Sequence, residues 1–222
     1  MKTGISIFMP VYNGIEFIEE SVLSVISQTY IYWELIIAVN GHPPNSDVYK
    51  TAKTYENRHK NIRVLDFHHI KGKPNTLNAL VPMCIYNHIA LLDVDDIWLP
   101  NKLMNQSIYL DKYNVIGTQC VYFGESQPII PNIPCGDISN YNFKLTNPII
   151  NSSCIIHKSF ADWNPEWDIE DYELWMRLRK QNCTFYNIPE VLIKHRIHGN
   201  SAFNSKGNGL HVPKLLALYN FE

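Results

Sequence analysis

A chain of 222 residues, 45% of them hydrophobic, suits one domain with a sizeable core and leaves little room for two. The formal net charge is −2, and Lys and Arg form no arm or run. No basic field therefore argues for nucleic acid, and an electrostatic tether to a membrane is not indicated. No stretch approaches the roughly 18 apolar residues of a membrane-spanning helix, and residues 1–4 lack the apolar region of a signal peptide. The five cysteines (Cys84, Cys120, Cys135, Cys154, Cys183) show no paired spacing and read as reduced thiols. A cytoplasmic protein, at most peripheral to a membrane, is expected.

In chain order, apolar and amphipathic runs alternate. Residues 5–9 read as a buried strand stopped by Pro10, and 15–28 as a helix with Ile18, Val22, Val25 and Ile26 on one face. Residues 34–39 form a second strand, closed by Asn40-Gly41. A helix over 46–56 and a strand over 62–67 follow. The next helix covers 74–86, with Pro74 in its first turn, and leads to a strand over 88–92 and a helix over 100–111. The second half is less regular: a proline-rich loop at 127–134, a strand over 149–157, a helix over 168–180, and short strands over 183–188 and 191–197. Strands separated by helix-length segments imply an α/β fold with a mostly parallel central sheet flanked by helices. Ligands then gather at the carboxyl ends of the strands.

Four segments carry chemistry. Asp93-Val94-Asp95-Asp96 puts three carboxylates between a buried strand and a helix. Their repulsion calls for a cation, and oxygen ligands suit Mn²⁺ or Mg²⁺; a solvated turn with one Asp capping the next helix is the plainer alternative. Phosphatases of the haloacid dehalogenase type place their Asp-x-Asp after the first strand, whereas this one follows the fourth. Gly72-Lys73-Pro74 opens a helix, so Lys73 and backbone N–H groups could meet a phosphate, or form an ordinary basic loop. Four acids (Asp168, Glu170, Asp171, Glu173) crowd a helix start, where the dipole accounts for one or two of them. Residues 194–201 gather Lys194, His195, Arg196 and His198 at a strand end, where they could touch a diphosphate or a metal, or pair with acids.

Taken in order, these segments resemble family 2 glycosyltransferases of the GT-A fold. The matching stretches are residues 6–14, 21–30, 33–37, 72–78, 93–103, 170–178 and 188–198, which cover nearly the whole chain in the family's order and spacing. The resemblance implies one GT-A domain over 1–222, with a nucleotide-binding half over about 1–100 and an acceptor-binding half over about 101–222. It implies an inverting, metal-dependent enzyme that moves a sugar from a nucleotide-diphosphate donor to a hydroxyl of a glycan, glycoprotein or glycolipid. Asp171 would be the general base and Asp95 a metal ligand, with His198 as a second one. Pro10, Tyr12, Asn13, Asn40, Lys73, Asn78, Asp93 and Arg196 would bind the donor. Trp98, Asn151, Ser152 and Glu170 would line the sugar or acceptor site. A domain that binds nucleotide-sugars without turnover is the alternative.

Two departures refine this expectation. Where the family commonly carries two Asp residues before the Gly of Asn40-Gly41, this chain has Val39 and Asn40. An amide pairs with either group on a uracil edge, so a UDP-sugar is favoured, thymidine donors are allowed, and guanine suits a carboxylate better. The Gln-x-x-Arg-Trp motif of processive synthases is absent, so one addition per encounter is expected. The chain also stops early for this family, as a compact form or one domain of a longer protein would.

Overall fold

The computed structural model describes residues 3–199 and 211–219. Asn200 and Ser201, part of the fourth segment above, lie outside the described residues. Among the described residues nine strands form one sheet, in the order β3-β2-β1-β4-β8-β6-β9-β5, with β7 also on β9. The first part of the chain holds β1 (Ile5–Val11), β2 (Trp33–Asn40), β3 (Ile62–Phe67) and β4 (His88–Leu91), all parallel to one another. Between them run α1 (Ile18–Ile26), α2 (Asp47–Lys53) and α3 (Lys73–Leu80). The sheet continues through β5 (Ile97–Trp98), β6 (Val115–Gly124), β7 (Gly136–Asp137), β8 (Ile155–His157) and β9 (Phe185–Ile197). Here β6 and β9 are parallel, while β8, β5 and β7 run antiparallel to their partners. The helices of this part are α4 (Lys102–Ser107), α5 (Glu170–Lys180) and α6 (His211–Leu218).

Alternate residues of the parallel strands feed two cores. Phe8, Ile36 and Ala38 pack with Leu77 of α3 and Leu174 of α5, while Ile7, Met9, Leu35 and Ile37 pack with Val22 and Val25 of α1. A sheet covered on both faces explains strands that read as continuous apolar runs. At the carboxyl ends of β1 and β4 the chain leaves the sheet as polar turns, and Tyr12, Asn13, Asp93 and Asp95 lie in them.

Several elements differ from the sequence expectation for identifiable reasons. The helix over 74–86 ends at Leu80 and passes into a 3-10 turn at Val81–Met83, because Pro82 supplies no N–H to continue the helical ladder. Residues 15–17 form a 3-10 turn ahead of α1. Over 149–157 the chain first makes a 3-10 turn at Asn151–Ser153, where the Ser153 hydroxyl donates to the Ile150 carbonyl at 2.7 Å, and only then forms β8. The two short strands over 183–197 are one long strand, β9, whose register against β6 jumps from Ile188 to Val191 and so loops out Pro189 and Glu190. Strand β6 and helix α6 lacked a period strong enough to stand out. Among the described residues no helix is long and apolar enough to cross a membrane, and all five cysteines are free thiols.

Candidate active site

The carboxylate turn after β4 is built on backbone and hydroxyl contacts. The Asp93 N–H donates to the Ser152 hydroxyl at 3.0 Å, and the Asp96 N–H donates to the Asp93 carbonyl at 3.1 Å. This fold sends the three carboxylates to three different partners.

Asp93 meets Lys73 and Asn151. The Lys73 Nζ lies 2.6 Å from Asp93 Oδ1, and the Asn151 amide donates to Oδ2 at 2.9 Å. Burial opposes the Asp93 charge, but the Lys73 ammonium and the Asn151 amide outweigh it and hold this carboxyl below the usual carboxylate range. The same ammonium lies 3.4 Å from Glu170 at the start of α5. Lys73 thus joins the turn after β4 to the helix that carries Asp171. Gly72 makes this possible: its φ of 85° lies in the left-handed region, turning the chain just before α3.

Asp95 meets His198, with Nε2 2.9 Å from Oδ2. Burial and the charges of Asp96 and Asp93 push the Asp95 carboxyl upward. Asp96 is wholly buried and closes a latch: it accepts from the Arg196 N–H at 2.8 Å and lies 3.0 Å from His195 Nδ1. Burial disfavours a charged His195, yet Asp96 and its two neighbours push its pKa up to about 9. An Asp96–His195 ion pair therefore ties β9 to the carboxylate turn.

At the start of α5, Asp171 accepts a hydrogen bond from the Asn147 amide at 3.1 Å. Burial pushes the Asp171 carboxyl upward, with Lys73 and Asn147 opposing. Glu170 is also shifted upward, by burial first, with Lys73 opposing and Asp171 adding to the rise.

The turn after β1 is more open. Tyr12 is 57% exposed, and Asn13 beside it is exposed as well. Pro10, near the end of β1, is half-buried, and Asn40 is buried at the end of β2. The Tyr12 ring lies against Gly41, where a Cβ would sit 3.2 Å from it. His42, one residue on, bonds to the Tyr12 carbonyl through Nε2 at 2.6 Å.

Four residues expected to meet a ligand make internal contacts. Both amide atoms of Asn78 are spent on Trp163, donating to its carbonyl at 2.7 Å and accepting from its N–H at 2.8 Å, so Asn78 fastens α3 to the segment before α5. Trp98 is 1% exposed; its indole N–H donates to the Ser152 carbonyl at 2.8 Å, and the buried Lys102 Nζ sits 3.9 Å from its ring centroid. Its ring belongs to the core and presents no face to a sugar. Arg196 is held between the Phe17 and Phe123 rings, each 4.4 Å away, while Nε donates to the Asp95 carbonyl at 2.9 Å and the guanidinium pairs with Glu20 at 3.1 Å. These contacts latch the end of β9 and occupy the group expected to meet phosphate. Ser152 is likewise fully buried, its hydroxyl supporting the turn, while Asn151 reaches Asp93. Sequence reasoning missed Asn147, since nothing in an Asn-Pro dipeptide identifies a partner 24 residues away.

Comparison with known proteins gives the class. The signature described as glycosyl transferase family 2 matches residues 6–208, and the chain belongs to that family. It is 27% identical over 215 residues to the O-antigen biosynthesis glycosyltransferase WbnJ of Escherichia coli, covering 90% of this chain and 82% of that protein. It is 29% identical over 219 residues to the UDP-Glc:alpha-D-GlcNAc-diphosphoundecaprenol beta-1,3-glucosyltransferase WfgD of Escherichia coli, covering 91% and 80%. Among solved structures, S. aureus TarS 1-349 in complex with UDP-GlcNAc superposes with a TM-score of 0.75 at 14% identity, covering 99% of this chain and 68% of that one. The mannosyltransferase PcManGT from Pyrobaculum calidifontis, in complex with GDP-Man and Mn²⁺, gives 0.70 at 12% identity, covering 91% and 59%. The protein is therefore a glycosyltransferase enzyme with the GT-A fold.

Proposed function

We propose that the protein transfers one sugar per encounter from a nucleoside-diphosphate donor, a UDP-sugar in preference, to a hydroxyl of a glycan carried on a lipid, with inversion at the anomeric carbon. The observation that carries this reading is the Lys73 bridge, which holds Asp93 of the donor side and Glu170, next to Asp171, around one ammonium. The names of WfgD, a UDP-Glc enzyme acting on a diphosphoundecaprenol-linked sugar, and of the TarS complex support the donor and acceptor classes. Residues up to about 100 would then hold the nucleotide, and the rest the acceptor, with the enzyme working in the cytoplasm at a membrane surface.

The side chains present suit a divalent cation. Asp95 and His198 offer one carboxylate oxygen and one imidazole nitrogen 2.9 Å apart. Among the described residues no group of three or more acids, histidines or cysteines is arranged to hold a metal. Such a pair fits Mn²⁺ or Mg²⁺, which keep open positions for substrate phosphates. Buried Asn151 Oδ1 has no hydrogen-bond partner among the described residues and marks the same region as built for a ligand. When bound, the ion offsets the charge that grows on the leaving diphosphate.

Asp171 then acts on the acceptor. It takes the hydroxyl proton as the acceptor oxygen bonds to the anomeric carbon, while the bond from that carbon to the diphosphate breaks and the nucleoside diphosphate departs with the electron pair. A positioned base of this kind contributes roughly 10²–10⁴-fold. Lys73 supplies positive charge beside Asp93 for the diphosphate, and Tyr12, Asn13 and Asn40 border the base. The test is isothermal titration of UDP, dTDP, GDP and CDP with and without Mn²⁺. Tight UDP binding that needs the metal supports the reading, and metal-independent binding or a preference for GDP contradicts it.

A further inference from the structure

Asn147 is bonded to Asp171 at 3.1 Å, and its neighbourhood is built to hold that contact. The Asn147 Oδ1 accepts from the Ile149 N–H at 3.4 Å, which turns the amide nitrogen toward the carboxylate. Pro148 follows, and its carbonyl accepts from the wholly buried Asn187 at 2.7 Å; the same Asn187 amide donates to the Pro134 carbonyl at 2.7 Å. Gly117 of β6 leaves room for Asn187, since a Cβ there would lie 2.1 Å from its Oδ1. Phe143, earlier in the loop, accepts through its carbonyl from the Tyr172 hydroxyl. The loop over 143–148 is thus fastened to the start of α5 at two points, one of them the Asp171 carboxylate itself.

We propose that Asn147 is a positioning residue for the transfer: it ties up Asp171 Oδ2 and keeps Oδ1 as the oxygen that takes the acceptor proton. This rests on the reading of Asp171 as general base. A neutral amide suits the task, because it donates at every working pH and favours the ionised carboxylate. The Asp171 carboxylate also accepts from the Tyr172 backbone N–H, and it is faced by Lys73 from α3, by Asp93 from the turn after β4, by Glu170 on its own helix, and by the buried Cys154 thiol. Lys73 is shared among three carboxylates, so it cannot orient one of them alone.

The test uses the full chain and the variants Asn147→Ala and Asn147→Ser. The first readout is ¹³C NMR of the aspartate carboxyl carbons, with the Asp171 signal assigned by its loss in Asp171→Asn. The second is UDP release from UDP-glucose and UDP-GlcNAc with Mn²⁺, water serving as acceptor. We expect the Asp171 titration midpoint to rise by about one pH unit in Asn147→Ala, as loss of one charge-assisted hydrogen bond requires. UDP release should fall about tenfold or more with donor KM nearly unchanged, and Asn147→Ala should cost nothing further in the Asp171→Asn background. An unmoved midpoint in both variants, with folding intact, overturns the positioning role. Asp171→Asn that keeps its UDP release overturns the base reading instead, and the NMR midpoint, which needs no turnover, tells the two failures apart.

Discussion

Lys73 and Asp93 form the shortest ion pair around the candidate site, 2.6 Å from Nζ to Oδ1, and the same ammonium reaches Glu170 across the halves of the molecule. It offsets repulsion among Asp93, Glu170 and Asp171. Lys73→Met should therefore lower stability by about 1–3 kcal/mol at pH 8, the scale for stranding a partly buried charge. The sign of the pH dependence follows from Asp93, whose carboxyl Lys73 holds low in the folded state. That contribution is present above the ordinary carboxylate pKa and is lost as pH falls through the depressed folded value. The gap in melting temperature between wild type and Lys73→Met should thus narrow toward acidic pH. A gap that widens there contradicts the account.

Asp95 and His198 carry the metal prediction. Asp95→Ala should abolish donor turnover, and excess EDTA should do the same to the wild type. His198→Ala should leave turnover measurable but raise the Mn²⁺ concentration needed for half activity by about tenfold or more, the scale for losing one ligand or its supporting partner. Metal titration of UDP release checks both, and full activity in EDTA refutes them.

Asn40 tests donor choice. Asn40→Asp should weaken UDP binding and strengthen GDP binding, because a carboxylate accepts from the guanine N1–H and N2–H₂ edge but cannot donate to a uracil carbonyl. Calorimetry on the two proteins should show the ratio of UDP to GDP affinity falling by about tenfold or more. A ratio that does not move places base recognition elsewhere.

The first four strands were legible in the sequence because β1, β2 and β4 are buried on both faces and read as continuous apolar runs. The carboxylate run, Lys73 and the acidic start of α5 were visible for the same reason: charges beside apolar runs need partners. The partners themselves were not legible. That Asp96 serves His195 and Asp95 serves His198 depends on β9 ending beside the turn after β4, a contact across about 100 residues. Trp98 and Arg196 looked like ligand groups by type, but burial and the Phe17 and Phe123 rings give them internal work. The 3-10 turn at Asn151–Ser153 was not legible, because its shape follows from hydrogen bonds to Ile150 and Asp93.

Asp171 decides the mechanism. Burial pushes its carboxyl upward, so the ionised base is present only above that raised value. The acid limb of the pH–rate profile should therefore lie above the ordinary range of an aspartate, with activity lost as pH falls through it. The most direct measurement is turnover of Asp171→Asn at saturating donor. An Asn at a helix start preserves capping nearly as well as Asp, so a structural role for this residue leaves kcat close to normal. The account predicts that kcat falls by about 10²-fold or more, with UDP affinity and melting temperature almost unchanged. An Asn variant that keeps most of its kcat would contradict it.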